Sequence, residues 1–145
     1  MNLKNALLAG AAGAVALNLV HESVRQVVPT APRVDIIGRR LITYAFHQAG
    51  NKAPQKDKRY ALAMVGDVVS NALYYSLVGW GRPESAMTKG LLLGAGGGIA
   101  AVIIPEYVDL PEEAVNRDWS TTAMTIGWYS LGGAVAGWVA QRLHG

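Results

Sequence analysis

Polar and ionisable side chains interrupt the apolar stretches of this sequence at spacings that bring them together on helices. Near the end of the first apolar run, four of them lie three or four residues apart: Asn18, His21, Glu22 and Arg25. Residues with this spacing share one face of a helix, so Glu22 can pair with Arg25. A carboxylate beside an imidazole can bind a cation, exchange a proton or hydrogen-bond a polar solute.

A second polar stripe and a third carboxylate follow along the chain. Asp67 and Asn71 are four residues apart in the second apolar segment, and Glu106 closes the third. Charges inside a bilayer are costly unless they are paired or hydrated, so such residues are candidate functional sites. We expect the three carboxylates to converge in one half of a helical bundle. The expected ligand-binding or ion-binding cluster has six members: His21, Glu22, Arg25, Asp67, Asn71 and Glu106.

The members nearest the helix ends have a structural alternative. Glu22, Arg25 and Glu106 can extend to water or form an ion pair that only stabilises the fold. Asp67 has a short side chain and apolar neighbours on both sides, so it reaches water less easily. We expect Asp67 either to bind a ligand or to act as a hydrogen-bonding hub, and burial disfavours its charged form unless Arg25, Arg39 or a bound cation neutralises it.

Motifs for metal binding and catalysis are not found in the sequence. His21, Glu22, Asp67 and Glu106 offer nitrogen and oxygen ligands. A single histidine with no second one a turn later matches neither a zinc-protease helix nor a paired di-iron site. The chain has no cysteine, which excludes thiolate chemistry, and it has no serine-hydrolase motif. We expect no metal site, and the sequence leaves any catalytic residue or cofactor unassigned.

The composition and the apolar segments indicate a membrane protein. Apolar residues make up 51% and charged residues 16% of the 145 residues, whereas soluble domains carry about 25% charged residues. Four apolar segments of roughly 20 residues, the length that crosses a bilayer, lie at about 3–28, 60–80, 86–104 and 121–140. Lipid favours helices because every backbone amide needs an internal partner. We predict an all-α integral membrane bundle of four transmembrane helices in a single domain, 1–145.

The first segment also has features of a cleavable signal peptide. Lys4 precedes an apolar stretch that contains an Ala-Val-Ala triplet, as such peptides do. We expect the segment to be retained as the first helix of the bundle.

The connector between the first two segments predicts a surface helix. Pro29 and Pro32 end the first helix. Over about 33–48, apolar residues recur at helical spacing and arginines occupy the other positions. A short amphipathic helix of this kind lies on the membrane surface with its basic side chains among the headgroups. We expect three of its side chains to contact headgroups: Arg33, Arg39 and Arg40.

The distribution of basic residues predicts the orientation. Nine of the 13 Lys and Arg residues fall on the side of the first connector, and four fall on the other side. Because basic residues accumulate in cytoplasmic loops, we predict a multi-pass protein of the bacterial inner membrane with a cytoplasmic first connector and both termini outside. The net charge of +3 is modest, so we expect no nucleic-acid partner.

Small residues repeat every four positions in three of the predicted helices. Gly90, Gly94 and Gly98 form one stripe, and Gly133 with Gly137 repeats the spacing in the last helix. The first helix has the same repeat at Ala6, Gly10 and Ala14. Small residues let helix backbones approach closely in a bilayer. We expect these stripes to pack within the chain, with a seam between copies as the alternative. A homo-oligomer or a complex with another membrane protein is also expected.

Three classes of function follow from these features. The first is a small membrane protein whose buried acidic cluster binds a cation, a proton or a small polar solute, as in a transporter or channel. The second is a structural or accessory subunit of a larger membrane complex. The third is a membrane-embedded enzyme for a lipid or another amphiphile, with the carboxylates as acid or base and the arginines holding a phosphate headgroup.

Overall fold

The computed structural model describes residues 1–143, except for the side chain of Pro83, and this part of the chain is helical without strands. Its α-helices are α1 (Leu3–Val24), α2 (Val34–Gln48), α3 (Lys56–Tyr75), α4 (Ala86–Tyr107), α5 (Glu113–Asn116) and α6 (Trp119–Arg142). Three helical segments are long and apolar enough to cross a membrane: α1, α3 with its 3-10 extension to Gly79, and α4. The predicted all-helical membrane architecture is confirmed to this extent, and α6 falls outside that group.

The first helix is shorter than the sequence predicts. It ends at Val24 rather than near residue 28, and the chain leaves it through a turn in which the Val28 amide donates to the Val24 carbonyl oxygen. Pro29 prevents a return to the helix after this turn, because its ring disfavours helical backbone at the preceding residue and it has no amide hydrogen. The predicted boundary was therefore wrong by about one turn.

The other long helices extend beyond their predicted limits. Helix α3 begins at Lys56 instead of 60, because a polar first turn costs nothing outside the apolar layer and Asp57 suits a helix N-terminus. Helix α4 continues through Pro105, whose missing amide removes only one hydrogen bond in the last turn. Helix α6 starts at Trp119, where the Asp118 carboxylate accepts a hydrogen bond from the Thr121 amide at 2.9 Å. The sequence did not predict α5.

The long helices pack as a chain of neighbours. Helix α4 packs on α6, α6 packs on α1, α1 packs on α3, and α2 lies against α3. Helices α3 and α4 pack much less extensively, and the Tyr74 hydroxyl bridges them by donating to the Leu93 carbonyl oxygen at 2.9 Å. The bundle is therefore closely packed around α6 and α1 and open between α3 and α4.

Glycines form the seam between α4 and α6, as their spacing predicts. A Cβ atom added to Gly90 would overlap the carbonyl oxygen of Gly133, and one added to Gly133 would overlap that of Gly90. A Cβ at Gly94 would lie 2.6 Å from the Cα of Ser130. The packing within the chain is thus confirmed. The glycine stripes of α4 and α6 are both used in this contact within the chain. The expected oligomer stays a prediction.

Helix α1 is held in the same way from two sides. A Cβ at Gly10 would overlap the carbonyl oxygen of Ala72 in α3, and one at Gly13 would lie 2.5 Å from the carbonyl oxygen of Gly132 in α6. Tyr75 is fully buried between these helices and donates its hydroxyl to the Tyr129 carbonyl oxygen at 2.8 Å. Backbone proximity therefore fixes the relative positions of α3, α1 and α6.

The seam can be tested with two alanines in the same helix. We expect Gly133→Ala to lower the free energy of unfolding by about 1–3 kcal/mol, because its methyl group has no space beside Gly90. Gly127→Ala is the control, since nothing lies within 4 Å of its added Cβ. Unfolding in detergent micelles followed by circular dichroism measures both. Equal stability of the two variants would contradict the packing.

Candidate functional site

Several charged and polar residues gather at one end of the bundle. The end of α1 meets the start of α3 there, since the Arg25 guanidinium donates to the Tyr60 hydroxyl at 2.7 Å. The connector to α2 is fixed to α1 by His21, whose Nε2 lies 2.9 Å from the Pro32 carbonyl oxygen. The end of α4 reaches the same region, because Pro105 and Asp67 line one cleft.

Glu22 and Arg25 form the local ion pair that their spacing predicts. The Arg25 Nη2 atom lies 2.7 Å from Glu22 Oε2, and the Tyr60 hydroxyl donates to the same oxygen at 3.1 Å. The guanidinium also lies over the Tyr60 ring, 5.7 Å from its centroid. These contacts tie α1 to α3, so the pair has a structural role.

His21 is buried and contacts a backbone carbonyl oxygen. A carbonyl oxygen only accepts hydrogen bonds, so the contact with Pro32 requires a proton on Nε2. The imidazole packs against Trp128, with 5.5 Å between the ring centroids. His21 thus fastens the connector to the bundle and forms part of the wall behind Asp67.

A buried carboxylate that sequence reasoning missed organises the arginines. Asp35 is 4% exposed and accepts hydrogen bonds from Arg33 at 2.9 and 3.2 Å and from Arg39 at 2.6 Å. The nearest Arg25 nitrogen is 4.0 Å away. The signal was present in the sequence, because Asp35 stands in the first turn of α2 and Arg39 follows four residues later.

The environment of Asp35 stabilises its charged form. Burial alone would raise the pKa of this carboxyl, but the Arg33 hydrogen bond and the charges of the surrounding arginines outweigh it. The pKa of Asp35 therefore lies below its usual range. The carboxylate engages Arg33 and Arg39, two of the three arginines expected to contact headgroups, and its approach to Arg25 links α2 to α1.

Asp67 makes no ion pair with this network and lines an apolar cleft beside it. The cleft has a volume of about 450 Å³ and is lined mainly by α2, α3 and α4, with single residues from α5 and α6. Its apolar walls include Ile37, Leu41, Ala63, Ala101 and Ile104, and its polar side chains are Asp67, Ser70 and Tyr129. The exposed positions of Leu41, Ser70 and Ile104 show that the cleft opens between α3 and α4.

Asp67 has neutral partners within the bundle. The Asn71 Nδ2 atom donates to its Oδ1 at 3.1 Å and to its carbonyl oxygen at 3.0 Å. Arg25 and Arg39 do not neutralise Asp67, because they bind Glu22 and Asp35 instead. Across residues 1–143 no lysine or arginine forms an ion pair with Asp67.

The three carboxylates do not form one cluster. Glu22 lies within electrostatic range of Asp67. Glu106 is exposed, and it makes no hydrogen bond or ion pair with the residues that the structure describes. A side chain on the outer face of α4 can reach the boundary water, which removes the need for a partner. Glu106 therefore stays outside the arrangement of the other predicted residues.

A second cleft lies on the other face of α2 from the apolar cleft. It has a volume of about 570 Å³ and is lined by Arg39, Arg40 and Thr43 of α2, Arg59 of α3 and the connector after α4. Arg33 is absent from its lining and is bound to Asp35. Sequence reasoning missed Arg59, because only the folded chain brings the start of α3 beside α2.

The described residues hold no group of three His, Cys, Asp or Glu side chains arranged to bind a metal ion. Comparisons with protein families, with curated proteins and with solved structures find no match to this chain. The function is therefore inferred from the two clefts and the side chains that line them.

Removing the Asp35 carboxylate tests its role as the organising charge. We expect Asp35→Asn to lower the free energy of unfolding by about 2–3 kcal/mol, because Arg33 and Arg39 lose their shared partner. Asp57→Asn in the exposed first turn of α3 should cost only a few tenths of a kcal/mol. Chemical unfolding in micelles compares the two variants, and equal losses would show that Asp35 has no special role.

The same carboxylate predicts a defined pH dependence. Its lowered pKa means that Asp35 contributes stability above the ordinary Asp pKa of about 3.9 and loses this contribution as the pH falls through the folded-state value. We expect the stability difference between the parent chain and Asp35→Asn to be constant above about pH 5 and to shrink below about pH 4. Unfolding curves across this range measure it. A difference that stays constant into stronger acid would contradict the prediction.

Proposed function

We propose that this chain is a membrane protein that binds a small amphiphile at Asp67, with a cationic or hydrogen-bond-donating group on the ligand. The observation that carries the proposal is the position of Asp67, the one carboxylate among the described residues lining a laterally open apolar cleft. This proposal narrows the expected binding of a cation or small polar solute to molecules that also have an apolar part.

The surroundings of Asp67 indicate the chemistry of the polar end of the ligand. A carboxylate surrounded by apolar walls is costly unless a charge or several hydrogen bonds compensate it. Asn71 and Asn18 supply neutral donors and His21 lies within electrostatic range, but no lysine or arginine in the described chain forms an ion pair with Asp67. An ammonium or a hydroxyl group of a ligand would complete this environment.

The apolar part of the ligand is set by the walls. A volume of about 450 Å³ lies within the range of small-molecule sites. The cleft opens to the side between α3 and α4, which are both candidate membrane spans. In a membrane this opening would face the lipid. A molecule dissolved in the bilayer could therefore enter without crossing water.

The proposal includes a fourth membrane crossing by α6. This helix has 24 residues, a length of about 36 Å, and it lies between α1 and α4. The Asn5 side chain donates to the Leu143 carbonyl oxygen at 3.0 Å, so the start of α1 and the end of α6 are adjacent. Four crossings would return the chain to the side on which it began.

The orientation is part of the same proposal. The end of the bundle that holds Asp35 and the arginines carries the larger share of the basic residues. The positive-inside rule favours the cytoplasm for this end, with both termini outside. In a bacterial cell this corresponds to the inner membrane.

Asp67→Asn tests the proposed function. The probes are a long-chain alkylammonium and an alkyl sulfate of the same chain length, titrated into the purified full chain in nonionic micelles. We expect the parent to prefer the ammonium, and Asp67→Asn to weaken its binding about tenfold through loss of the charge. Asp57→Asn, which removes an exposed carboxylate from the same helix, should leave the affinity unchanged.

Two results would contradict the proposal. One is equal affinity of the parent for the ammonium and the sulfate, because binding would then depend on the apolar chain alone. The other is an unchanged ammonium affinity in Asp67→Asn when its helical circular dichroism spectrum matches that of the parent.

A further inference from the structure

We propose a second binding site, for a phosphate group, in the cleft between α2, the start of α3 and the connector after α4. It is called here the arginine cleft and is formed by Arg39, Arg40, Thr43, Arg59 and Asp109 with neighbouring apolar residues. This site is separate from the Asp67 cleft and does not depend on what binds there.

The arginine cleft has an excess of positive charge. Among the described residues, its lining holds three arginines, Arg39, Arg40 and Arg59, and one carboxylate, Asp109. Arg39 is paired with Asp35, which Arg33 shares, so Arg40 and Arg59 supply the excess charge. An anion in the cleft would balance the charge that these carboxylates leave uncompensated.

Two arginines of the cleft have unused hydrogen-bonding capacity. Arg40 is exposed and has no hydrogen bond or ion pair with any residue that the structure describes. The Arg59 guanidinium is held by a hydrogen bond from its Nη1 atom to the Thr43 hydroxyl at 3.2 Å, while its Nε is buried without a partner. Asp109 is exposed at the edge and forms no ion pair with either arginine in the described chain.

The donor type favours phosphate over other anions. A guanidinium presents parallel N–H groups that match two oxygens of a phosphate, and arginines from two helices can engage different oxygens of one group. A carboxylate offers only two oxygens and a smaller charge. Arg39 and Arg40 on α2 and Arg59 on α3 line the same cleft, so arginines from two helices are available to one multiply charged ligand.

The position of the arginine cleft makes two sources of a phosphate group available. The candidate span of α3 starts at Lys56 and that of α4 ends at Tyr107, and the cleft lies beside both points. This level corresponds to the headgroup layer, where a lipid phosphomonoester is available. The cleft is also open to water, where inorganic phosphate is available.

The experiment uses the purified full chain with both sources. One arm titrates inorganic phosphate into the protein in nonionic micelles. The other measures, by native mass spectrometry, the lipid retained from phosphatidylcholine nanodiscs that contain a minor fraction of phosphatidate or, separately, of oleate. Preference for phosphatidate alone identifies the headgroup as the source, and tight binding of inorganic phosphate identifies the free ion. Both results support a phosphate site.

Substitutions locate the site. We expect Arg40→Gln and Arg59→Gln each to weaken binding of the phosphate group about tenfold or more, since each removes charge-assisted hydrogen bonds. Arg82→Gln is the matched control, because it makes the same charge change in the connector at the opposite end of α3 and α4. Arg40 has no internal contact to lose, so its variant tests the site even where Arg59→Gln disturbs the fold.

Three results would overturn the inference. The first is an equal loss in Arg82→Gln, which would indicate diffuse attraction to a basic protein. The second is retention of oleate as strong as that of phosphatidate. The third is no detectable binding of either phosphate source by the folded parent chain.

Discussion

The close approach of helix backbones is the constraint on which the rest of this structure depends. In lipid the hydrophobic effect does not drive apolar helices together, so close van der Waals packing at small residues must supply much of the stability. Glycine pairs bring α4 to α6 and α6 to α1, while Gly10 brings α1 to α3. Helices α3 and α4 have no such seam, and the space between them becomes the cleft that contains Asp67.

The second constraint is the buried charge of Asp35. It binds Arg33 and Arg39 at the start of α2 and lies 4.0 Å from the nearest Arg25 nitrogen, so it links the first turn of this helix to the end of α1. One face of α2 then closes the apolar cleft with Ile37 and Leu41, and the other lines the arginine cleft. A single amphipathic helix thus gives an apolar environment and a cationic one on its two sides.

Local spacing predicted some contacts correctly and could not supply others. Glu22 and Arg25 pair because both belong to the same stretch of chain, and the glycine repeats pack because a helix places them on one face. Asp67 and Arg25 do not pair, since the guanidinium has closer partners in Glu22 and Tyr60. Which of several possible partners Arg25 binds depends on distances between helices, and the sequence alone does not give these distances.

The amino-acid sequence by itself determined the helical class, the apolar segments, the amphipathic α2 and the glycine faces, because all of these follow from helical periodicity. Only the tertiary structure decided that Arg25 approaches Asp35, that Glu106 stays outside, and that Arg59 joins Arg40. The physical reason is that helical periodicity fixes the face on which each side chain lies, whereas the packing of the helices determines which side chains come into contact.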